Sequence, residues 1–300
     1  MNRKISLPAA HLCALFTILV WGATFIASKY MLSVYTPVQI MLLRFILAYC
    51  VLWLIYPHAV RVSLKTELAF LCMGFFGKSL YFMLENTALT YTLTSNVSII
   101  LSSAPLFTAV LAHFFTPDEK LHRKMVYGAL IAFFGVTLVI FNGAVILKLS
   151  PRGDLLAVAA ALSWAIYTII LRKYTFRYDG FFLARRIAFW GILTALPILW
   201  WEGDAFPLSA LKDPYMLFCL LFLGLLGSAV CYILWNMAVF RLGAVTTNNY
   251  IFLSPFITMV CAALILDEPI HLMGFIGAIL IIGGILLANH GKQAEKKDGE

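Results

Sequence analysis

Ionisable side chains are rare inside the apolar stretches of this sequence, and three of them could carry chemistry. Lys78 and Glu85 lie in one apolar run, seven residues apart, which on an α-helix is two turns and therefore the same face. Arg44 lies in an earlier run, at a depth that we expect to match that of Glu85. Because a charge in hydrocarbon is costly, each of the three is a candidate for binding a substrate or coupling an ion.

Glu85 has two interpretations. As a proton- or cation-binding group, it would change ionisation between two conformations, because burial favours the neutral form and a neighbouring cation the charged one. As a structural group, it would form a fixed ion pair with Arg44 or Lys78. Lys78 could in turn be a counter-charge for a substrate carboxylate, or simply the partner of Glu85.

Uncharged polar residues near the starts of two apolar runs form a second group of candidates. Asn96 opens one run, and Asn248 and Asn249 open its counterpart later in the chain. Their amides could bind amino or carboxyl groups of a solute. They could equally form hydrogen bonds across helices, which in membranes contribute about 0.6–2 kcal/mol each.

Aromatic residues and prolines complete the set of candidates. Trp21, Tyr81 and Trp164 could line a pocket, although in a chain with 15% aromatic residues many rings only pack or face lipid. Pro105 and Pro255 lie within apolar runs, where a proline removes a backbone hydrogen bond and bends a helix. We therefore expect kinks there, which would suit either paired gates or a curved cavity wall.

Enzyme, metal and nucleic-acid chemistry have no signature in the sequence. We find no HExxH, GxSxG or P-loop motif, and the six cysteines form neither a CxxC pair nor a Cys/His cluster. The formal net charge of +8 comes mostly from Lys and Arg in short loops, without a basic groove sequence. We therefore predict no catalytic residue, no metal, no cofactor and no nucleic-acid partner.

The elements that position these candidates are membrane-spanning helices. The chain is 62% hydrophobic and 12% charged, with a mean hydropathy of +0.92. Its apolar runs are each near the length that crosses a ~30 Å hydrocarbon layer, and they lack the alternation of barrel strands. The runs fall at 9–30, 38–56, 68–88, 94–115, 124–141, 154–172, 181–201, 215–239, 245–266 and 270–288. They predict an all-α polytopic membrane protein with ten spans.

The sequence contains one unit twice. Residues of the third and fourth runs recur 150 positions later, and those of the next loop and the fifth run recur after 149. The matched pairs include Gly74/Gly224, Gly77/Gly227, Asn86/Asn236, Pro105/Pro255, Glu119/Glu268, Gly128/Gly277 and Gly135/Gly284. More weakly, Trp21 in the first run matches Trp164 in the sixth, at a shift of 143. The duplication predicts repeats at 1–141 and 154–288, a linker at 142–153 and a polar tail at 289–300.

Lys and Arg are concentrated in alternate loops, which by the positive-inside rule places both termini in the cytoplasm of a multi-pass protein of the cytoplasmic, or inner, membrane. Each repeat has five helices, an odd number, so the second must cross the membrane inverted. Inverted repeats are a recurring transporter architecture, with the substrate site near the midplane between the halves.

The paired segments resemble the EamA-type branch of the drug/metabolite transporter superfamily, over nearly the whole chain. The resemblance is carried by Trp21-Gly22, Arg44-Phe45, the run from Glu85 to Thr92, Ser95-Asn96, Ala104-Pro105-Leu106 and Glu119, and by Asn236-Met237-Ala238, Ser254-Pro255-Phe256 and Asp267-Glu268 in the second half. It implies a ten-helix carrier, usually of the bacterial inner membrane and often exporting amino acids, other metabolites or drugs. It does not imply one substrate.

The sequence and this resemblance together predict a secondary transporter. It would move an amino acid, a related metabolite or a drug by alternating access, with export favoured and protons as a further partner through Glu85. Two alternatives stay open: an uncoupled facilitator or importer of such a solute, or a non-transporting membrane scaffold or sensor. The oligomeric state also stays open.

Overall fold

A computed structural model describes residues 5–92, 94–141, 150–203, 205–266 and 271–298, with the side chains of 94–96, 262, 265, 266 and 290–298 outside the description. These ranges form helices and no strand. Nine helices of the described chain are long and apolar enough to cross a membrane. They are α1 (Leu7–Met31), α2 (Pro37–Ile55), α3 (Leu64–Tyr91), α4 (Val97–Phe115), α5 (Arg123–Phe141), α6 (Pro151–Tyr174), α7 (Gly180–Glu202), α8 (Pro214–Leu242) and α10, whose helix runs Leu272–Asp298.

The remaining predicted span, the ninth in chain order, is α9. It is a helix in three pieces: Ala244–Asn248, a 3₁₀ segment at Asn249–Leu253, and Ser254–Leu266. The predicted all-α, ten-span fold is thus confirmed, with one span segmented. Most of the predicted linker, 142–149, lies outside the described residues. The predicted run 270–288 corresponds to the apolar part of α10, Leu272–Asn289, and the helix continues through the polar tail to Asp298.

Local sequence signals fix several helix starts. The Thr36 hydroxyl accepts from the Gln39 N–H (3.3 Å) and the Gln39 side chain accepts from the Thr36 N–H (3.1 Å), which is a capping box. Pro37 then occupies the first position of α2, where its missing N–H leaves no hydrogen bond unmade. Asp179 caps α7 in a similar way, by accepting from the Phe181 N–H at 2.9 Å.

Both third helices of the repeats contain a π-helical stretch, at Phe75–Leu80 in α3 and at Phe222–Val230 in α8. A π turn holds more residues than an α turn and is often found at functional sites. Lys78 lies inside such a stretch, so seven residues no longer make two turns. Counting by α-helical turns therefore does not fix the angle between Lys78 and Glu85, and their shared face stays a prediction.

Both fourth helices are broken just before their prolines. A turn at residues 102–103 precedes the helix Ala104–Phe115, and the 3₁₀ segment of α9 precedes Ser254–Leu266. Pro105 and Pro255 are therefore each the second residue of a new helical piece. The prediction that they lie mid-helix is wrong, because in a first turn a proline removes no hydrogen bond that the helix needs.

The two repeats run in opposite directions. Ile5 before α1, Tyr56 after α2, Thr175 after α6 and Phe240 near the end of α8 line one hollow, here called the vestibule. At the opposite face, the loop after α1 meets the segment that follows α7, where the Tyr35 hydroxyl donates to the Pro207 carbonyl (3.2 Å). Thus α1 begins at the face where α6, the first helix of the second repeat, ends. The predicted inversion is confirmed.

The two repeats pack on each other in a reciprocal way. The first helix of each repeat packs on the third and fourth helices of the other: α1 on α8 and α9, and α6 on α3 and α4. The fifth helices, α5 and α10, pack on each other through their glycines. A Cβ at Gly277 would lie 2.6 Å from the Gly135 carbonyl oxygen, and one at Gly128 would lie 2.5 Å from that of Gly284. These glycines therefore allow close packing of the two helices within the chain.

A buried ion cluster also joins the repeats, near the vestibule. Arg172 of α6 pairs with Glu119 (3.1 Å) and Asp118 (2.8 Å) of the loop between α4 and α5. The Glu119 carboxylate accepts from the N–H groups of Ala244 and Val245, both at 2.8 Å, at the start of α9. Glu119 thus stabilises a helix start that has no side-chain cap of its own.

Candidate functional site

A cavity lies between the two repeats, and we call it the central cavity. Its volume is about 80 Å³, which is enough for several water molecules. Side chains from α1, α2, α3 and α4 of the first repeat and α6, α8 and α9 of the second form its walls. They are Ile18, Trp21, Thr24, Phe25, Arg44, Tyr81, Phe82, Glu85, Ser98, Leu101, Ser102, Ala104, Trp164, Tyr232, Ile251 and Ser254.

The walls follow the repeat. Four pairs of lining residues are counterparts under the sequence duplication: Trp21/Trp164, Phe82/Tyr232, Leu101/Ile251 and Ala104/Ser254. The cavity therefore lies where the two repeats face each other. Among the described residues, its charged lining consists of Arg44 and Glu85, and both come from the first repeat. Repeat-related pairs thus contribute to the uncharged lining, whereas the charged lining comes from the first repeat.

Arg44 and Glu85 are buried at the cavity wall, 3% and 6% exposed. The Arg44 Nε donates to the Ser228 hydroxyl at 2.8 Å, and its guanidinium carbon lies 4.7 Å from the centre of the Phe82 ring. Glu85 interacts electrostatically with Arg44 and with Tyr81. No cation among the described residues lies within the 4.0 Å of a contact ion pair with the Glu85 carboxylate. The geometry thus gives no support to a fixed contact ion pair, and the role of Glu85 stays a prediction.

Lys78 does not line the cavity, although it is only 1% exposed. Its ammonium lies over the Tyr232 ring and 4.3 Å from the centre of the Phe45 ring. The stem fits because position 191 is a glycine: a Cβ at Gly191 would lie 2.7 Å from the Lys78 Cβ. Cation–π contacts rather than a carboxylate therefore surround Lys78 in the described structure, which removes Glu85 as its contact partner.

The aromatic candidates meet in the cavity wall. The Trp21 and Trp164 rings are 5.4 Å apart, centre to centre, and the Tyr81 ring is 5.2 Å from that of Trp164. Hydrogen bonds fix both indoles: the Trp21 Nε1 donates to the Gly227 carbonyl and the Trp164 Nε1 donates to the Asn248 Oδ1, each at 2.9 Å. The cavity therefore has rigid aromatic walls rather than rings free to turn.

Asn248 and Asn249 do not line the cavity. The Asn248 side chain is engaged by Trp164 and by its own donation to the Ala244 carbonyl (2.9 Å). The Asn249 amide donates to Asn289 at 3.0 Å. Asn248 therefore orients a lining residue instead of lining the cavity itself. The side chain of Asn96 lies outside the described residues.

Several lining residues were missed in the sequence, above all Tyr232, Ser102 and Ser254. The duplication held a usable signal for one of them, because Tyr232 is the counterpart of Phe82, the residue after the candidate Tyr81. Ser102 and Ser254 lie at the breaks in α4 and α9. The prolines that follow, Pro105 and Pro255, were the available signal, because proline is common at the start of a helix.

The site as a whole joins a cation, a carboxylate, hydroxyls and aromatic faces in one cavity. Such a set of groups recognises a small organic molecule with polar groups on an apolar body. Within the described part of the chain, no group of three His, Cys, Asp or Glu side chains could hold a metal ion. The chemistry available is therefore recognition by charge, hydrogen bonding and stacking.

Comparisons with known proteins agree with this arrangement. A profile of the EamA-like transporter family matches residues 8–141 and again residues 151–290. An "Uncharacterized transporter" of Archaeoglobus fulgidus is 27% identical over 292 residues, covering 96% of this chain and 98% of the relative. The "Uncharacterized transporter YyaM" of Bacillus subtilis is 30% identical over 276 residues, 89% of each chain. A "Probable amino-acid metabolite efflux pump" of Escherichia coli is 26% identical over 281 residues, covering 91% of this chain and 92% of the relative.

A crystal structure matches the fold with a TM-score of 0.76, covering 94% of this chain and 97% of that one. Its sequence identity of 19% limits this likeness to the fold. The family profile covers both halves of the chain, and the relatives match along nearly their whole lengths. This multi-span membrane protein belongs to the EamA-like transporter family.

Proposed function

We propose that this protein is a secondary transporter that carries a small organic metabolite through the central cavity by alternating access. The observation that carries the proposal is a cavity that lies between two inverted repeats and is lined by one buried cation and one buried carboxylate. Charges at this depth are expensive to bury, so their presence beside an enclosed space favours a role with a solute.

An amino acid or a related compound is the solute class that we infer first. A zwitterion offers a carboxylate to Arg44 and an ammonium to Glu85, while its side chain packs on Trp21 and Trp164. The Escherichia coli relative is described as an amino-acid metabolite efflux pump, which supports the same class and favours export. A drug-like amine with an apolar body also fits this set of groups.

Alternating access requires that the cavity open at one face at a time. The central cavity and the vestibule share no lining residue. Between Tyr232, which lines the cavity, and Asn236, which lines the vestibule, lies Trp235, with no exposed surface and its ring 5.0 Å from that of Trp21. We infer that this aromatic partition parts when the repeats rock against each other.

We place the face where α1 begins in the cytoplasm of an inner-membrane protein, because Lys and Arg of the loops concentrate there. We further propose the repeats at 1–141 and 154–288 as the two bodies that rock. Glu85 is the group that we propose for proton coupling. An uncoupled facilitator remains the second candidate, favoured by the presence of one carboxylate in the cavity lining of the described chain.

The test begins with a thermal-stability screen of amino acids and amines on the purified protein, followed by flux of any stabilising solute into proteoliposomes. Flux is measured with and without a pH gradient, for the natural chain, for Glu85→Gln and for the control Glu202→Gln at the far end of α7. Coupled transport predicts gradient-driven flux that Glu85→Gln abolishes and Glu202→Gln leaves intact. Flux that ignores both the gradient and Glu85→Gln would establish a facilitator. Absence of flux for every stabilising solute would contradict transport and favour a sensor or scaffold.

A further inference from the structure

The vestibule is a second hollow, and it shares no lining residue with the central cavity. It lies at the face where α1 begins, and its volume is about 360 Å³, larger than that of the central cavity. Its walls include Tyr56, Thr175, Asp179, Phe181, Asn236 and Phe240. We propose that the vestibule binds a primary ammonium group that carries an apolar substituent.

Asn236 supplies the first argument, because one of its polar atoms lacks a partner. The side chain is 1% exposed, and its Nδ2 donates to the Gly180 carbonyl at 3.1 Å. That bond fixes the amide, so the other polar atom, Oδ1, is an acceptor, and no described residue donates to it. A buried acceptor without a donor is unfavourable by about 1–3 kcal/mol unless a water or a ligand satisfies it.

Asp179 supplies a negative charge beside this acceptor. It is the chain neighbour of Gly180, whose carbonyl Asn236 holds, so the carboxylate and the amide belong to one end of the hollow. One carboxylate oxygen accepts from the Phe181 N–H at 2.9 Å, and no described contact engages the other. An ammonium group has three N–H donors, which the Asp179 carboxylate and the Asn236 Oδ1 can share.

The remaining walls offer acceptors and aromatic faces. Among the described residues that line the vestibule, none is Lys, Arg or His, while Tyr56, Tyr178, Phe181 and Phe240 contribute rings. Aromatic faces attract cations and also pack against an apolar substituent. An anion would find neither a counter-charge nor a free donor of comparable strength in these walls.

Two buried arginines close to the vestibule, Arg172 and Arg185, are engaged elsewhere. Arg172 donates to the carbonyls of Val239 and Phe240 and pairs with Asp118 and Glu119. Arg185 donates to the carbonyls of Tyr56 and His58 and stacks 4.0 Å from the centre of the Trp53 ring. Neither guanidinium is left to repel an ammonium from the hollow.

Helix ends add to the negative potential. Tyr56 follows the end of α2, Thr175 follows the end of α6, and Phe240 lies in the last turn of α8, so three helix C-termini converge on the vestibule. C-termini carry partial negative charge. The starts of α1 and α7 are also here, but the Asp179 carboxylate caps that of α7. Together, the helix C-termini and the Asp179 carboxylate favour binding of a cation in the vestibule.

Two sources could provide the ammonium: a free amine, or the headgroup of a phosphatidylethanolamine lipid at the membrane surface. The inference goes beyond the proposed function, because it concerns binding in a hollow that shares no lining with the central cavity. Its failure would leave the transport proposal untouched, since the readout below is binding rather than flux.

The probe is benzylamine, with benzyl alcohol and benzoate as controls of the same ring size, measured by calorimetry on the full chain in lipid-free detergent micelles. Benzylamine alone is expected to bind. Asp179→Asn retains a helix cap and removes the charge, so it should weaken benzylamine by about ten- to a hundredfold. Glu202→Gln, at the opposite end of α7, is the neutral control and should leave the affinity unchanged, while Glu85→Gln tests whether benzylamine binds in the central cavity instead. Asn236→Leu is a second variant of the vestibule and should also weaken the binding.

Three results would overturn the proposal: equal binding of benzylamine and benzyl alcohol, benzylamine affinity that Asp179→Asn leaves intact, or affinity that is lost in Glu85→Gln alone. The absence of any benzylamine binding would mean that water satisfies Asn236, and would overturn it as well. The source is assigned in nanodiscs. Weaker benzylamine binding in phosphatidylethanolamine than in phosphatidylcholine, which has the same net charge but no N–H donor, supports a lipid headgroup in the vestibule, and equal binding supports a free amine.

Discussion

Glu119 and Asp118 offer a matched pair of substitutions, because both carboxylates pair with the same arginine and differ in burial. The Glu119 side chain has no exposed surface, whereas that of Asp118 is 58% exposed, and Arg172 is 9% exposed. The perturbation is Glu119→Ala, compared with Asp118→Ala. We predict that the buried member determines the stability of the contact between the repeats at this face.

The magnitude follows from the contacts that each substitution removes. Glu119→Ala removes a buried partner of Arg172 and the acceptor of two N–H groups at the start of α9. Loss of one partner from a buried pair destabilises by about 3–5 kcal/mol. Arg172 keeps its two carbonyl acceptors, so we expect the lower part of that range. Asp118→Ala breaks a mostly exposed pair, for which we expect less than about 1 kcal/mol.

The assay is reversible unfolding in mixed micelles with increasing sodium dodecyl sulfate, followed by tryptophan fluorescence. The free energy of unfolding should fall by at least about 2 kcal/mol more for Glu119→Ala than for Asp118→Ala. Equal losses for the two variants, or a loss below about 1 kcal/mol for Glu119→Ala, would refute the reasoning that burial decides the strength of this cluster.

Two further predictions use the same unfolding assay. Gly277→Ala should destabilise by about 1–3 kcal/mol, because its Cβ would lie 2.6 Å from a carbonyl oxygen of α5, whereas Gly283→Ala, with nothing within 4 Å, should be neutral or slightly stabilising; equal effects would contradict the close packing of α5 on α10. Trp164→Phe should destabilise by about 1–3 kcal/mol, because it leaves the buried Asn248 Oδ1 without its donor. A neutral Trp164→Phe would show that this hydrogen bond does not hold the cavity wall.

Sequence periodicity and duplication predicted the frame of the protein well. Hydropathy determines where a chain must be helical in lipid, and the repeat determines which helices correspond. Trp21 and Trp164 were paired on that basis, and their rings do meet in the cavity. The inversion also followed from the odd number of spans. These features depend on the whole membrane as solvent rather than on any single contact.

The errors arose where local backbone geometry departs from a regular helix. Lys78 was expected to pair with Glu85 or a substrate, and its ammonium instead lies over the Tyr232 ring, from within the π stretch at Phe75–Leu80. Pro105 was placed in mid-helix because the turn that precedes it, at residues 102–103, lies within an apolar run. The partner of Asn248 lies on another helix, so no count along the chain could show that its amide is engaged. Such features depend on tertiary contacts.

The most direct test of the account is whether the central cavity is the route of the solute. Ser254→Cys places a thiol in its wall, and Leu208→Cys places one on the exposed 3₁₀ turn after α7, 61% exposed. Both are made in a chain whose six natural cysteines are replaced, then reconstituted and modified with a trimethylammonium-ethyl methanethiosulfonate reagent. We predict that modification of Ser254→Cys stops flux, that the solute slows this modification, and that modified Leu208→Cys transports normally. Full modification of Ser254→Cys with undiminished flux would contradict the account.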